Sequence, residues 1–268
     1  MLRRAVIFDM DETIGYFSQL GLIIDSLENH TKNKLKEPEL YHMFDIFNNI
    51  FRPGIFDIFK LLKREKKKNK HLKIIMFTNN TGPRSWMHLI RKYIEHKIKA
   101  PELFDKVIGA WKVKGDNGEE IREKCRTARE KKYTDLLECF PVLKRYKLCF
   151  LDDVTHHGMI HKNVTYLHLK PYRHEVSYET IVDTLLNSSK FKSLIGKRSE
   201  YLQYLKDYLN KEFFEYKHIN KLREKKYAKT KLYKVISNFI KNKKMKTRKK
   251  IVKKTRKKRK KVRKTFKK

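Results

Sequence analysis

Two aspartates separated by one residue, Asp9 and Asp11, close an apolar run in VIFDMDETIG, and a second pair, Asp152 and Asp153, closes another in CFLDD. Thr78 and Asn79 end a third such run, KIIMFTNN. Four carboxylates drawn into one place would repel one another, and at least one would have to keep its proton at neutral pH. A hard divalent cation removes that conflict, because Mg²⁺ takes oxygen ligands from one or two carboxylates together with a substrate phosphate. Asp9, Asp11, Asp152 and Asp153 are therefore the candidate Mg²⁺ ligands, and phosphoryl chemistry is the reaction class they point to. At DMDET the chain is leaving a strand, so the two carboxylates are free to face different ways. One can attack phosphorus while the other handles a proton.

Such a site needs elements that bring three distant segments together. Four apolar runs without alternation, AVIF (5–8), KIIMF (73–77), LCFL (148–151) and VTYLHL (164–169), read as strands covered on both faces, as in a parallel sheet. Helical spacing separates them: Ile55, Ile58, Phe59 and Leu62 after Arg-Pro-Gly (52–54), then Trp86, Leu89, Ile90, Tyr93 and Ile94 after Pro83, which suits a first turn. Ser177 is placed to cap a further helix carrying Ile181, Val182, Leu185 and Leu186. Strands alternating with helices predict an α/β fold with a central parallel sheet, and ligands in such sheets gather at the carboxyl ends of the strands. That is where the aspartates and Thr78 stand. Residues 16–51 read as a small helical insert over the end of the first strand. Residues 105–122 read as a hairpin insert turning at GDNG.

Length and charge divide the chain further. Its 268 residues carry a net charge of +37, of which 19 positive charges and no negative ones lie in 241–268. The expected organisation is a globular domain over 1–190, a basic helical extension over 191–240 with apolar positions such as Leu202, Leu205, Leu209 and Phe213, and a Lys/Arg-rich tail that is disordered. The tail's block KKTRKKRKKVRK suits nuclear localisation or contact with nucleic-acid phosphates. Cys125, Cys139 and Cys149 lack metal spacing and read as core thiols of a reducing compartment, cytoplasmic or nuclear. His156, His157 and His161 read as loop histidines rather than zinc ligands. No membrane partner is expected, since no apolar run reaches spanning length; the sequence carries no signal for oligomeric state.

The stretch VIFDMDETIG closely resembles the Asp-x-Asp-x-Thr motif of the haloacid dehalogenase superfamily of aspartate-dependent phosphatases, and Thr78, a lysine ahead of the last carboxylates, and LDD at 151–153 resemble its remaining motifs, in order. DMDET followed by Arg-Pro-Gly is similar to the branch that dephosphorylates the RNA polymerase C-terminal repeat. The resemblance covers residues 3–190 and implies a Rossmann-like fold with Mg²⁺ as cofactor. It implies Asp9 as nucleophile and metal ligand, Asp11 as general acid and then base with its carbonyl on the metal, and Thr78 on the transferring phosphoryl group. Asp152, with Asp153 as a ligand or a helix cap, completes the metal site. For the lysine, Lys132 is favoured over Lys131, and Lys144 lies too near the last strand. Thr13, Asn79 and Arg52 are the candidate substrate-binding residues, Arg52 equally well serving as a structural turn residue. The sequence departs from that branch at Thr-Asn-Asn (78–80) and Asp-Asp (152–153).

Three functions stay open on the sequence. The first is a Mg²⁺-dependent protein phosphoserine/phosphothreonine phosphatase of the polymerase-repeat type. The second is a phosphatase of nucleic-acid ends or small phosphorylated metabolites. The third is a nucleic-acid-binding protein with a vestigial core.

Overall fold

The structure, a computed structural model, describes residues 3–115, 117–212 and 226–242. The chain runs β1 (Arg4–Phe8), α1 (Ser18–Thr31), α2 (Glu37–Ile46), α3 (Ile55–Lys68), β2 (Leu72–Phe77), α4 (Arg84–Lys97), β3 (Lys106–Ile108), β4 (Lys112–Lys114), β5 (Glu120–Arg122), α5 (Tyr133–Cys139), β6 (Lys147–Asp152), β7 (Val164–His168), α6 (Tyr178–Leu186), α7 (Lys192–Ile195), α8 (Arg198–Lys211) and α9 (Lys226–Ile240). Five strands form one parallel sheet in the order β3-β2-β1-β6-β7, and β4 pairs antiparallel with β5. This is a Rossmann-like α/β fold with helices on both faces.

The apolar runs explain the layering. Successive residues of a strand face opposite sides of the sheet, so Val6, Phe8, Ile74, Met76, Cys149 and Leu151 enter one core with α1, α3 and α4, while Ala5, Ile7, Ile75, Phe77, Leu148 and Phe150 enter the other with α5. A strand apolar on both faces has nowhere to lie but between two layers. The four runs read from the sequence correspond to β1, β2, β6 and β7. The three-residue β3, which extends the sheet past β2 in register Ile75↔Lys106, lies in the segment read as the hairpin insert. Ser177 caps α6 by accepting the Thr180 N–H, and Pro83 directly precedes α4.

The helices of the basic extension pack onto the domain: Tyr201, Leu205 and Leu209 of α8, and Ile236, Phe239 and Ile240 of α9, are buried in the larger core. The Arg4 guanidinium lies 4.9 Å over the Phe239 ring. Phe213 and the tail beyond Asn242 lie outside the described residues. None of the described helices is long and apolar enough to cross a membrane.

Two cysteines differ from the expectation of free thiols. Cys125 and Cys139 form a disulfide, whereas Cys149 is a buried free thiol on β6. Fourteen residues of separation and an intervening loop gave no sequence sign of the pairing.

Candidate active site

The parallel register carries the ends of β1, β2 and β6 to one rim of the sheet. Asp9 follows β1, its N–H donating to the Leu151 carbonyl (2.9 Å), and Asp152 ends β6 beside it. Each of Asp9, Asp152 and Asp153 offers a carboxylate oxygen within 4.8 Å of the others. Asp9 and Asp152 are almost fully buried.

A lysine ammonium lies among them. Lys131, 1% exposed, donates to Asp9 Oδ1 (2.5 Å) and Asp152 Oδ2 (2.7 Å). The site lysine is therefore Lys131, not Lys132. The backbone at Lys132 is extended (φ −122°, ψ 145°), so neighbouring side chains leave it on opposite sides. Lys132 points away, its ammonium donating to Thr127 Oγ1 (3.2 Å). A tight turn at His157–Met159 presses on the same segment: a Cβ on Gly158 would stand 3.0 Å from the Lys131 carbonyl and 2.8 Å from Lys132 Cγ. A side chain at 158 would therefore force the Lys131–Lys132 segment to shift.

Burial pushes the Asp9 carboxyl up to about 7, against the pull of the Lys131 ammonium and with added repulsion from Asp152. One ammonium does not balance three carboxylates, and the donors are all hard oxygens. A divalent cation such as Mg²⁺ fits that donor set.

The loop after β1 is held from below. Arg52, buried, donates from Nε to the Thr13 carbonyl (2.7 Å) and from Nη2 to the carbonyls of Glu12 (2.5 Å) and Lys170 (2.8 Å). It thus fixes the loop that carries Asp11, in keeping with the structural one of its two readings. Gly15 is required by close approach, since a Cβ there would meet the Ile50 carbonyl at 2.7 Å. Thr13, fully buried, donates its hydroxyl to Asp153 Oδ1 (2.9 Å) and so orients a candidate metal ligand. The residues following Asp153 form a bend, so it caps no helix.

The Asp11 carboxylate stands apart from that cluster. Its side chain belongs to no ligand group with the other three. Asp11 Oδ2 accepts from Asn80 Nδ2 (2.9 Å), while Oδ1 is buried with no hydrogen-bond partner among the described residues. Burial raises its carboxyl to about 6, the Asn80 hydrogen bond and the Lys131 charge opposing.

Thr78, 1% exposed, directly follows β2. Its hydroxyl oxygen accepts the Asn80 N–H (3.0 Å), which leaves the hydroxyl proton to be donated elsewhere. The neighbouring Asn79 is half-buried, with its carbonyl oxygen buried and without a partner among the described residues.

Two participants, Asn80 and Arg126, were given no site role from the sequence, and His156, read as a loop histidine, stands at the site as well. Asn80 ties Thr78 to Asp11. Arg126, buried, donates to the carbonyls of Thr78 (3.2 Å), Gly109 (2.8 Å) and Arg129 (3.0 Å), which ties the Lys131 segment to the ends of β2 and β3. Desolvation lowers the Arg126 guanidinium to about 10. His156 places Nε2 3.6 Å from Asp152 Oδ2, and burial holds its pKa below the ordinary value, with Asp152 opposing. In a lysine- and arginine-rich loop such as REKCRTAREKK, no single cation announces itself.

No family model matches the chain, and no curated protein matches it. Among solved structures, the chain is similar to a phosphoserine phosphohydrolase-like protein from Francisella tularensis subsp. tularensis SCHU S4, with a TM-score of 0.31 and 12% identity, over 57% of this chain and 79% of that one.

Proposed function

We propose that this protein is a Mg²⁺-dependent phosphomonoesterase of the haloacid dehalogenase type, working through an aspartyl-phosphate. The observation that carries the proposal is the convergence of Asp9, Asp152 and Asp153 around the buried Lys131 ammonium, with Asp11 turned aside. Asp9 Oδ attacks phosphorus, and the bond from phosphorus to the leaving oxygen breaks. The Asp11 carboxyl gives that oxygen its proton. Asp11, now ionised, takes a proton from water, which attacks phosphorus and releases Asp9 and inorganic phosphate. The Thr78 hydroxyl donates to a phosphoryl oxygen, and Lys131 offsets charge developing in the transition state. Asp9, Asp152 and Asp153 would hold a bound Mg²⁺, which would supply charge neutralisation for the transferring group.

For the substrate, we propose phosphoserine or phosphothreonine in a protein, supported by DMDET and Arg-Pro-Gly in sequence. The basic tail supports delivery to nucleic-acid-associated targets through phosphate contacts. A second reading, the phosphorylated end of a nucleic acid, is favoured by Thr-Asn-Asn at the end of β2 and by the +37 charge.

The test is p-nitrophenyl phosphate hydrolysis with Mg²⁺ and with chelator, followed by a phosphopeptide, a 3′-phosphorylated oligonucleotide and sugar phosphates compared by kcat/KM. Mg²⁺-dependent turnover with preference for the peptide is expected. Turnover indifferent to chelation would sink the mechanism, and preference for the oligonucleotide would replace the protein substrate by the second reading.

A further inference from the structure

We infer that Asn80 is a positioning residue for the Asp11 carboxyl. It fixes the orientation of that carboxyl. This rests on the phosphatase reading above.

The side-chain amide of Asn80 cannot turn over freely. Its Oδ1 accepts the Gly82 N–H (3.0 Å), so its Nδ2 must face Asp11, where it donates to Oδ2 (2.9 Å). The backbone of the same residue donates to Thr78 Oγ1 (3.0 Å), which anchors the amide to the end of β2. The other oxygen of Asp11 has no hydrogen-bond partner among the described residues, so the Asn80 amide is what holds the carboxyl in its orientation. In the forward step the Asp9–phosphorus bond forms, the bond to the leaving oxygen breaks, and the Asp11 proton moves to that oxygen. The same three hydrogen bonds couple proton donor and phosphoryl clamp through one side chain. Loss of the Asn80 amide frees the Asp11 carboxyl to rotate.

A general acid matters for a leaving group that cannot depart unprotonated. The experiment compares kcat/KM on phenyl phosphate with that on 2,4-dinitrophenyl phosphate, whose leaving group departs as a stable anion, in wild type, Asn80→Ala and Asn80→Asp. Asn80→Asp keeps the shape and the acceptor for Gly82 but loses the donor to Asp11, which covers the case of an alanine variant that fails to fold. The expected result is a loss on phenyl phosphate at least tenfold greater than the loss on the dinitrophenyl ester. In an Asp11→Asn background the same change has little further effect, because the two residues act as one unit. Equal losses on both esters, or additive effects with Asp11→Asn, would overturn the role of Asn80 while leaving the phosphatase intact. A wild type inactive on both esters would overturn the phosphatase and this inference with it.

Discussion

The ammonium of Lys131 lies 2.5 Å from Asp9 Oδ1, and both side chains are almost completely removed from water. A cation held this way compensates the Asp9 carboxylate, and breaking such a buried pair leaves uncompensated charge, commonly worth about 3–5 kcal/mol.

Lys131→Met is therefore expected to lower kcat with p-nitrophenyl phosphate by about two orders of magnitude or more. Its melting temperature in chelator should also fall, with partial recovery on adding Mg²⁺. Lys132→Met, whose ammonium reaches only Thr127, should stay within about threefold of wild type. The reverse ranking would contradict the placement of the two lysines.

Asp11 supplies a stability test. Its carboxyl titrates near 6 in the folded chain against an ordinary 3.8, because burial disfavours the ion. The folded state thus holds the proton more tightly than the unfolded one. Ionisation penalises folding: the penalty is nil below 3.8, grows between 3.8 and about 6, and is constant above. At about 1.4 kcal/mol per pK unit the full penalty is about 3 kcal/mol. Asp11→Asn should accordingly melt several degrees higher than wild type at pH 8 in chelator, the difference vanishing below about pH 4. A difference independent of pH would contradict the buried-carboxylate account.

The disulfide closes the segment that carries both Arg126 and Lys131. For a loop of this length, chain entropy gives about 3 kcal/mol. Cys139→Ala is expected to lose about that much in urea unfolding. Thiol titration of the native oxidised chain should find nothing reactive, since Cys149 is buried and its thiol is pushed well above its usual range. Two fast-reacting thiols in the untreated protein would contradict the pairing.

Much of this arrangement is legible in the residues themselves. β1, β2, β6 and β7 announce themselves because a strand buried on both faces has no polar side, and the carboxylates stand out because charge directly after such a strand has few structural uses. β3 spans only Lys106–Ile108, too short for any periodicity. The choice between Lys131 and Lys132 rests on which way an extended backbone presents two neighbours, a matter of register that identical side chains cannot encode. Arg52 and Thr13 have the right chemistry for a phosphate, and the sequence could not show that in the folded chain Arg52 holds the Thr13 and Glu12 carbonyls and Thr13 holds Asp153. Asn80 was hidden for the opposite reason: an asparagine after a strand commonly serves a turn, and its contact with Asp11 spans 69 residues.

The central claim is that Asp9 is a nucleophile, and the most direct measurement compares the Mg²⁺-supported hydrolysis of p-nitrophenyl phosphate by wild type and by Asp9→Asn, with a melting curve to establish that the variant is folded. The prediction is measurable turnover by wild type and a fall of about three orders of magnitude or more in the folded variant. A folded Asp9→Asn protein within tenfold of wild type would contradict it.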